Sequence, residues 1–251
     1  MSKEIAIVFG ASGFLGSHVA EALSSDGYQV RLFDCTPSDF KRSDQEMIVG
    51  DIMNLEDVTK AIQGASVVYN FAAIADIDEA NEKPLATAEV NILGNMNVLE
   101  ASRLSGVRRF IFASSVYVYS ESGSFYRASK QAAERFIETY QDRYGLDYTI
   151  LRYGSLYGRR TDDRNGIYRM LHEAIEQRSI TYKGSGEAIR EYIHVEDAAR
   201  MSVQVLAPEF ANRHLILTGQ ERMRIKDVMT MISEIMPWPV KLHFDAVSYT
   251  H

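Results

Sequence analysis

The hydrophobic residues of the chain fall into short continuous runs, and these runs alternate with longer stretches in which apolar positions recur at helical spacing. Short runs that are apolar throughout are typical of strands buried on both faces of a sheet. The pattern predicts strands over residues 5–9, 29–33, 67–71, 110–113 and 148–151. It predicts helices over residues 14–25, 55–62, 85–104, 128–144, 166–177 and 225–236.

The order of these elements predicts the fold class. Strand and helix alternate as far as residue 151, which favours an α/β fold with a doubly wound parallel sheet of Rossmann type and helices on both faces. After about Gly158 the alternation loosens, which predicts a small C-terminal α/β lobe. We therefore expect a main domain over residues 1–152 and a small substrate-binding lobe over residues 153–251, interleaved with the main sheet.

Composition and charge exclude several classes of protein. The 251 residues are 46% hydrophobic and 24% charged, values typical of a globular protein and not of a disordered or collagen-like chain. A formal net charge of -7 without a basic stripe argues against a nucleic-acid partner. The apolar run at 5–9 is too short for a membrane span or a signal peptide, and the single Cys35 cannot form an intrachain disulfide. We expect a cytoplasmic protein with no membrane partner.

A glycine-rich loop directly follows the first predicted strand and opens the first helix, the context that a dinucleotide-binding fingerprint requires. Gly10 permits the tight turn, Gly13 lets the backbone approach a pyrophosphate, and Gly16 lets helix and strand pack closely. The helix N-terminus offers free N–H groups to the phosphates. A purely structural strand-to-helix turn also uses glycine, so the loop alone leaves both interpretations open. The residues predicted to hold the cofactor here are Gly10, Ser12, Gly13, Phe14, Leu15 and Gly16.

Asp34 favours the dinucleotide interpretation. It ends the second strand, 18 residues after Gly16. A carboxylate there can accept hydrogen bonds from the adenosine ribose hydroxyls and would repel a 2′-phosphate, so NAD is predicted in preference to NADP. The alternative is an aspartate that only stabilises a turn.

A phenol and an ammonium group are predicted to share one face of a helix, because Tyr126 and Lys130 are four residues apart. The lysine and a positively charged nicotinamide would lower the pKa of Tyr126, which could then exchange a proton with a sugar or alcohol oxygen. Ser114 and Ser115 end the preceding strand, at the edge where such sheets bind ligands. We predict Ser115, Tyr126 and Lys130 as catalytic residues; the alternative for the serine is a strand-end cap.

Further short motifs complete a recognisable set. They are Asp51-Ile52, Asn70-Phe71-Ala72-Ala73, Val90-Asn91-Ile92-Leu93-Gly94, Leu151-Arg152-Tyr153, Tyr157-Gly158 and the run from Arg190 to Asp197. With the glycine loop, Asp34 and the Ser115, Tyr126 and Lys130 set, the chain resembles the extended short-chain dehydrogenase/reductase family, specifically its NAD-dependent nucleotide-sugar epimerase/dehydratase branch. The resemblance covers residue 5 to about residue 236.

The resemblance implies further site residues. The implied cofactor contacts are Asp51, Ile52, Phe71, Ala72, Ala73, Asn91, Tyr126, Lys130 and Tyr153, with Asn91 also supporting the proton relay. The implied substrate contacts are Ser115, Ser155 and Arg190. A guanidinium group at Arg190 suits a substrate diphosphate, whereas the alternative is a surface salt bridge to Glu187 or Glu191.

The chain departs from the family pattern in ways that bear on its reaction. Val116 and Tyr117 occupy the positions where similar dehydratases carry Asp and Glu, so 4,6-dehydration is disfavoured. Only 11 positions separate Ser115 from Tyr126, which predicts a shorter substrate-facing loop and an open pocket. Gly154-Ser155 replaces a more usual aromatic-Asn pair. The sequence ends at His251, short of the segment that commonly closes over the nucleotide base, and it does not identify that base.

The leading hypothesis from the sequence is an NAD-dependent nucleotide-sugar epimerase that takes hydride from a sugar carbon and returns it to the opposite face. A net NAD-dependent dehydrogenase or reductase of a nucleotide sugar or small sugar acid is the alternative within enzymes. A non-catalytic NAD-binding sensor is a third possibility, against which the set of Ser115, Tyr126 and Lys130 argues. No metal site is predicted. The helices 85–104 and 128–144 resemble a family dimer interface, so a homodimer is expected.

Overall fold

A computed structural model describes residues 3–245, whose elements follow the predicted alternation of strand and helix. The strands are β1 (Ile5–Phe9), β2 (Gln29–Asp34), β3 (Glu46–Val49), β4 (Val67–Asn70), β5 (Arg109–Ser115), β6 (Tyr148–Tyr153), β7 (Ser155–Tyr157), β8 (Ser179–Lys183), β9 (Ile189–His194), β10 (Arg213–Leu217), β11 (Arg222–Arg224) and β12 (Lys241–Asp245). The helices are α1 (Phe14–Ser25), α2 (Leu55–Ile62), α3 (Ile77–Glu82), α4 (Pro84–Ala88), α5 (Asn95–Leu104), α6 (Ser124–Tyr144), α7 (Gly166–Glu176), α8 (Val195–Gln204) and α9 (Ile225–Ile235). Glu89–Gly94 is a π-helical segment, and Val116–Tyr119 and Pro208–Phe210 are 3₁₀ turns.

Contacts divide the chain into two units. The first unit comprises the residues up to Tyr153 together with Glu196–Leu217, and the second comprises Gly154–Val195 and the residues from Thr218 onward. The expected boundary at residues 152 and 153 therefore lies next to a change of unit, but the segment Glu196–Leu217 returns to the first unit because β10 pairs with β6.

The first unit is built on a parallel sheet of seven strands in the order β10-β6-β5-β4-β1-β2-β3. Every neighbouring pair in it is parallel. The strand order reverses where β1 pairs with both β2 and β4. In open α/β sheets, ligands bind outside the carboxyl ends of the strands at such a reversal.

Both faces of this sheet are covered. On one face, side chains of alternate strand positions pack with α2, α5 and α6 into a core that includes Ile7, Phe9, Val68, Val98, Phe110, Phe112 and Ile137. On the other face, the Tyr69 hydroxyl donates to the Ser202 carbonyl of α8 at 2.8 Å. Helices on both faces explain why the strands read as continuous apolar runs.

The second unit has its own small core. It contains a three-stranded sheet in the order β11-β9-β7 and a two-stranded sheet of β12 and β8. The helices α7 and α9 bury their apolar faces with β8, through Met170, Ala174, Ile180, Val228, Met229 and Ile232.

The predicted fold class is confirmed. Two of the predicted helices differ clearly from their predicted bounds in the structure. The helix predicted over 85–104 is interrupted, because Glu89–Gly94 is π-helical and divides α4 from α5. The helix predicted to begin at residue 128 begins at Ser124, so Tyr126 lies within its first turn. Among the helices within residues 3–245, none combines the length with the apolarity that spanning a membrane requires.

Candidate active site

The glycine loop lies at the reversal of strand order, between the carboxyl ends of β1 and β4. Gly10 has a φ of +75°, and a Cβ at this position would lie 2.6 Å from the backbone nitrogen of Ala72. A Cβ at Gly16 would lie 2.1 Å from the carbonyl oxygen of Gly10. Only glycine fits at these two positions, because the loop, the start of α1 and the chain after β4 are in contact.

The loop fits the predicted dinucleotide. Gly13 is the N-cap of α1 and has no side chain with which to bond the first N–H groups of that helix. The first turn of α1 also lacks an acidic side chain that would compete for these groups. An open helix N-terminus at the reversal of strand order is suited to a pyrophosphate.

Asp34 lies at the carboxyl end of β2 and contacts the same loop. Its Oδ2 accepts a hydrogen bond of 2.9 Å from the backbone N–H of Ser12, and its Oδ1 lies 3.4 Å from the backbone nitrogen of Thr36. The Ser12 hydroxyl donates to the Thr36 carbonyl at 2.7 Å. The carboxylate is thus fixed beside the glycine loop and partly open to solvent, where a ribose could reach it.

The predicted catalytic residues come together where β5 ends and α6 begins. Ser115 is the last residue of β5, and its hydroxyl accepts a hydrogen bond of 3.2 Å from the Tyr117 N–H. Lys130 donates to the Ala113 carbonyl at 2.8 Å, and its Nζ lies 5.7 Å from the centre of the Tyr126 ring. All three predicted catalytic side chains are buried.

Burial controls the protonation of this pair. Desolvation raises the pKa of Tyr126 to about 12, against which a hydrogen bond with the Ser115 side chain lowers it. Desolvation lowers the pKa of Lys130 to about 8, against which the Glu134 carboxylate raises it. In the chain without a cofactor, burial raises the pKa of Tyr126, and the lowering by Lys130 together with a nicotinamide stays a prediction.

Comparison with known proteins identifies this arrangement. The sequence profile of the NAD dependent epimerase/dehydratase family matches residues 6–216. The chain belongs to this family. The match spans the glycine loop, Asp34 and the predicted catalytic residues.

Individual relatives in the family share about a quarter of their residues with this chain. A UDP-glucose 4-epimerase of Mycolicibacterium smegmatis is 29% identical over 229 residues, which are 80% of this chain and 73% of the relative. A UDP-glucuronate 4-epimerase of Thermodesulfobacterium geofontis is 28% identical over 230 residues, 80% of this chain and 71% of the relative. The crystal structure of UDP-glucuronic acid 4-epimerase from Bacillus cereus, in complex with UDP-glucuronic acid and NAD, is 25% identical and has a TM-score of 0.89, covering 96% of this chain and 86% of that one. These comparisons confirm the predicted family, fold and NAD cofactor, and they support the epimerase hypothesis.

The other cofactor residues implied by the family resemblance lie along the same sheet edge. The segment after β4, Phe71 to Ala73, is half-buried. Its backbone at Ala72 lies directly against Gly10 of the glycine loop. Asp51 is exposed and accepts from the Met53 N–H at 2.9 Å, while Ile52 beside it is buried. Their roles toward a cofactor remain predictions.

Asn91 and Tyr153 are more deeply buried. The Asn91 amide donates to the Ile74 carbonyl at 3.0 Å and to the Ser129 hydroxyl at 2.9 Å. Asn91 therefore reaches the residue next to Lys130. The Tyr153 hydroxyl lies 2.6 Å from the Ser202 hydroxyl of α8.

The predicted substrate residues Ser155 and Arg190 belong to the second unit. Ser155 pairs with Tyr192 in the β7 and β9 register, so Ser155 and Arg190 lie on the same face of that sheet. Arg190 donates to the Ile189 carbonyl at 3.0 Å, while Glu187 pairs with Lys226 and Glu191 with Arg222. The role of Arg190 toward a substrate stays a prediction.

Gly154 departs from the family pattern for a reason inside the second unit. A Cβ at this position would lie 2.5 Å from the carbonyl oxygen of Glu191. The backbone therefore approaches β9 too closely for the aromatic side chain that is more usual there.

The segment between Ser115 and Tyr126 is short and internally bonded. It begins with the 3₁₀ turn Val116–Tyr119, where a dehydratase would need its acidic pair. The Ser120 and Ser122 hydroxyls lie 2.7 Å apart, and the Arg127 guanidinium donates to the Ser120 carbonyl. Val and Tyr at 116 and 117 supply no general acid or base for dehydration.

Sequence reasoning missed a buried acid next to the catalytic pair. Glu134 lies one helical turn beyond Lys130 and is 6% exposed. Its carboxylate contacts Ser114 and Arg152. The signal was available, because Tyr126, Lys130 and Glu134 recur every four residues and Arg152 lies in a recognised motif.

Proposed function

We propose that the protein is an NAD-dependent epimerase that inverts C4 of a UDP-linked hexose or hexuronate. The observation that supports this most strongly is the set of Ser115, Tyr126 and Lys130, which is buried at the carboxyl edge of the sheet that carries the glycine loop. A protein that only binds NAD has no need of these three side chains. The position C4 and the UDP group are inferred from the relatives.

The cofactor would be held by the glycine loop, with Asp34 accepting hydrogen bonds from the adenosine ribose. Phe71 to Ala73 would line its middle, and Lys130 would bond the nicotinamide ribose. When bound, NAD supplies an acceptor for hydride from the sugar carbon and a donor that returns the hydride.

The side chains of the protein would handle the proton at O4 of the sugar. Tyr126 would take the O4 proton as the alcohol becomes a ketone, and would give it back as the alcohol re-forms. Ser115 would donate a hydrogen bond to the same oxygen. Lys130, when protonated, would stabilise the Tyr126 phenolate, whose formation burial otherwise opposes.

The substrate diphosphate would be bound by Arg190, since a guanidinium group suits phosphate oxygens, with Ser155 on the same sheet face adding a hydroxyl. The short segment after Ser115 leaves few side chains to select among sugars. We therefore expect the enzyme to accept more than one UDP-sugar.

The proposal is tested by incubating the purified protein and NAD separately with UDP-glucose, UDP-galactose and UDP-glucuronate, and following products by NMR. Conversion between 4-epimers without net formation of NADH supports the proposal. Formation of NADH in proportion to product would instead identify a net dehydrogenase, and absence of any conversion would overturn the assignment of these sugars.

We also propose that the protein is a cytoplasmic homodimer formed through α5 and α6. These helices expose three large apolar residues. Leu104, Phe136 and Tyr144 are 61%, 37% and 59% exposed. Light scattering after size-exclusion chromatography tests the dimer, and Leu104→Glu should shift the mass to that of one chain. An unchanged mass for this variant would argue against the α5 and α6 interface.

A further inference from the structure

Two consecutive residues of β5, Ala113 and Ser114, bind two consecutive turns of α6. Tyr126, Lys130 and Glu134 follow one another at intervals of four residues, so they lie on one helix face. Lys130 donates to the Ala113 carbonyl at 2.8 Å. The Ser114 hydroxyl donates to Oε1 of Glu134 at 2.5 Å.

Glu134 is also bound from the neighbouring strand. Arg152 of β6 forms two hydrogen bonds with its carboxylate, Nε to Oε1 at 3.0 Å and Nη2 to Oε2 at 2.6 Å. Ser114 and Arg152 are register partners in β5 and β6, so their side chains leave the same face of the sheet. A two-point guanidinium contact fixes the orientation of the carboxylate.

Arg152 is itself held by two further side chains, Tyr119 and His214. Its Nη1 donates to the Tyr119 hydroxyl, and its Nη2 lies 2.7 Å from Nδ1 of His214. The Glu134 and Arg152 side chains are 7% and 13% exposed. Because the pair is largely screened from water, the Glu134 charge acts on its neighbours at short range.

Lys130 is the neighbour that this charge affects. Besides Glu134, the groups that face its ammonium are the Ala113 carbonyl and the Phe112 ring from β5, and Tyr126 from its own helix. The Glu134 carboxylate raises the pKa of Lys130 against the larger, lowering effect of burial. Glu134 thereby keeps a larger fraction of Lys130 protonated near pH 8.

We infer that Glu134 is a positioning residue: Ser114 and Arg152 hold its carboxylate one helical turn from Lys130, where its charge favours the ammonium form of Lys130 and its bonds keep α6 in register with β5. Its effect on turnover rests on the proposed function, because it acts through Lys130 on Tyr126. Its effect on Lys130 does not, because that group titrates whether or not a sugar is converted.

The test is Glu134→Gln in the full chain with saturating NAD, with the Lys130 signal followed by NMR of ¹³C-labelled lysine and assigned with Lys130→Arg. The pKa of Lys130 should fall by about one pH unit, the order expected for loss of one close opposite charge. At a pH equal to the wild-type Lys130 pKa, this fall lowers the protonated fraction from about one half to about one tenth, and kcat should fall there by about fivefold, with KM for the UDP-sugar unchanged.

The matched control is Glu138→Gln, one turn further along α6, whose carboxylate contacts Arg135 and His214. Glu138→Gln should not change the pKa of Lys130. If Glu134→Gln does not fold, the titration is made on Glu134→Gln combined with Arg152→Met, which leaves neither partner charged, and a smaller fall is expected because the lost Arg152 charge opposed protonation of Lys130.

An unchanged Lys130 titration in the folded variant would overturn the inference, even if kcat fell through loss of stability. A fallen Lys130 pKa in a protein that converts no sugar would support the positioning role and reject the proposed function. The two failures are therefore distinguishable.

Discussion

Lys130 lies one helical turn beyond Tyr126, with its ammonium nitrogen 5.7 Å from the centre of the Tyr126 ring. Burial acts on the two groups in opposite directions, raising the pKa of Tyr126 to about 12 and lowering that of Lys130 to about 8. Both shifts favour the uncharged forms. Positive charge brought to the phenol, as by the nicotinamide of bound NAD, would favour loss of the Tyr126 proton near neutral pH.

Removal of the phenol hydroxyl should abolish turnover and spare the cofactor. Tyr126→Phe should lower kcat by about 10²-fold to 10⁴-fold, the range for loss of a general acid or base. The affinity for NAD, measured by isothermal titration calorimetry, should change little. Tyr28→Phe, directly before β2 at the amino edge of the sheet, is the control and should keep full activity. Comparable activity in the Tyr126 variant would exclude Tyr126 as the proton carrier.

Lys130 should make stability depend on pH. Its pKa is lowered in the folded state, so the unfolded chain binds more protons between about pH 8 and 10.5, and stability rises with pH across that window. Below pH 8 the burial cost is present in full. Between pH 8 and 10 the gain is about 2 kcal/mol.

This gain is measured as the difference in urea unfolding free energy between the wild type and Lys130→Met at each pH. The difference cancels the titration of all other groups that the substitution leaves unchanged. Measurements stop at pH 10, because Tyr126 contacts Lys130 and its titration, which lowers stability between about pH 10 and 12, need not cancel in the difference. A difference that is flat from pH 8 to 10 would show that Lys130 is not desolvated.

Asp34 should decide between NAD and NADP. Asp34→Asn keeps an oxygen for the Ser12 N–H and removes the charge that opposes a 2′-phosphate. The ratio of the Kd for NADP to that for NAD should fall by about tenfold, or about 1.4 kcal/mol. Asp39→Asn, an exposed acid of the following loop, is the control. If both variants kept the wild-type ratio, Asp34 would not be the selective residue.

Gly16 should tolerate no side chain. In Gly16→Ala the new Cβ would lie 2.1 Å from the Gly10 carbonyl oxygen, so α1 must move away from the loop. We expect a loss of about 2 kcal/mol in unfolding free energy and weaker NAD binding. Gly166→Ala at the start of α7, where nothing lies within 4 Å of the added Cβ, should be neutral. Equal stability of the two variants would contradict the close packing of the loop.

Much of the first unit could be predicted from the sequence, since its signals are local. The five predicted strands all occur, and α1 and α2 have the predicted bounds. Buried parallel strands appear in the sequence as continuous apolar runs, and helix ends appear as capping residues, so both can be recognised locally. Asn54, for example, caps α2 by accepting from the N–H of Glu56. The glycine loop was predictable for the same reason.

The missed features depend on contacts between distant residues. The edge strands β3 and β10 are short and partly polar, and β10 pairs with β6 across more than 60 residues. The π-helical segment leaves no local signal. The ion pair of Glu134 and Arg152 joins α6 to β6 across 18 residues of sequence. Only the register of β5 and β6 shows that Ser114 lies on the same sheet face as Arg152.

The central claim is that one sugar carbon loses hydride and regains it on the opposite face. The most direct measurement uses UDP-glucose deuterated at C4, incubated with the protein and NAD in H₂O, with the product followed by NMR and mass spectrometry. The account predicts UDP-galactose that retains deuterium at C4, with no net NADH. Product that has lost the deuterium, or NADH formed in proportion to product, would contradict it.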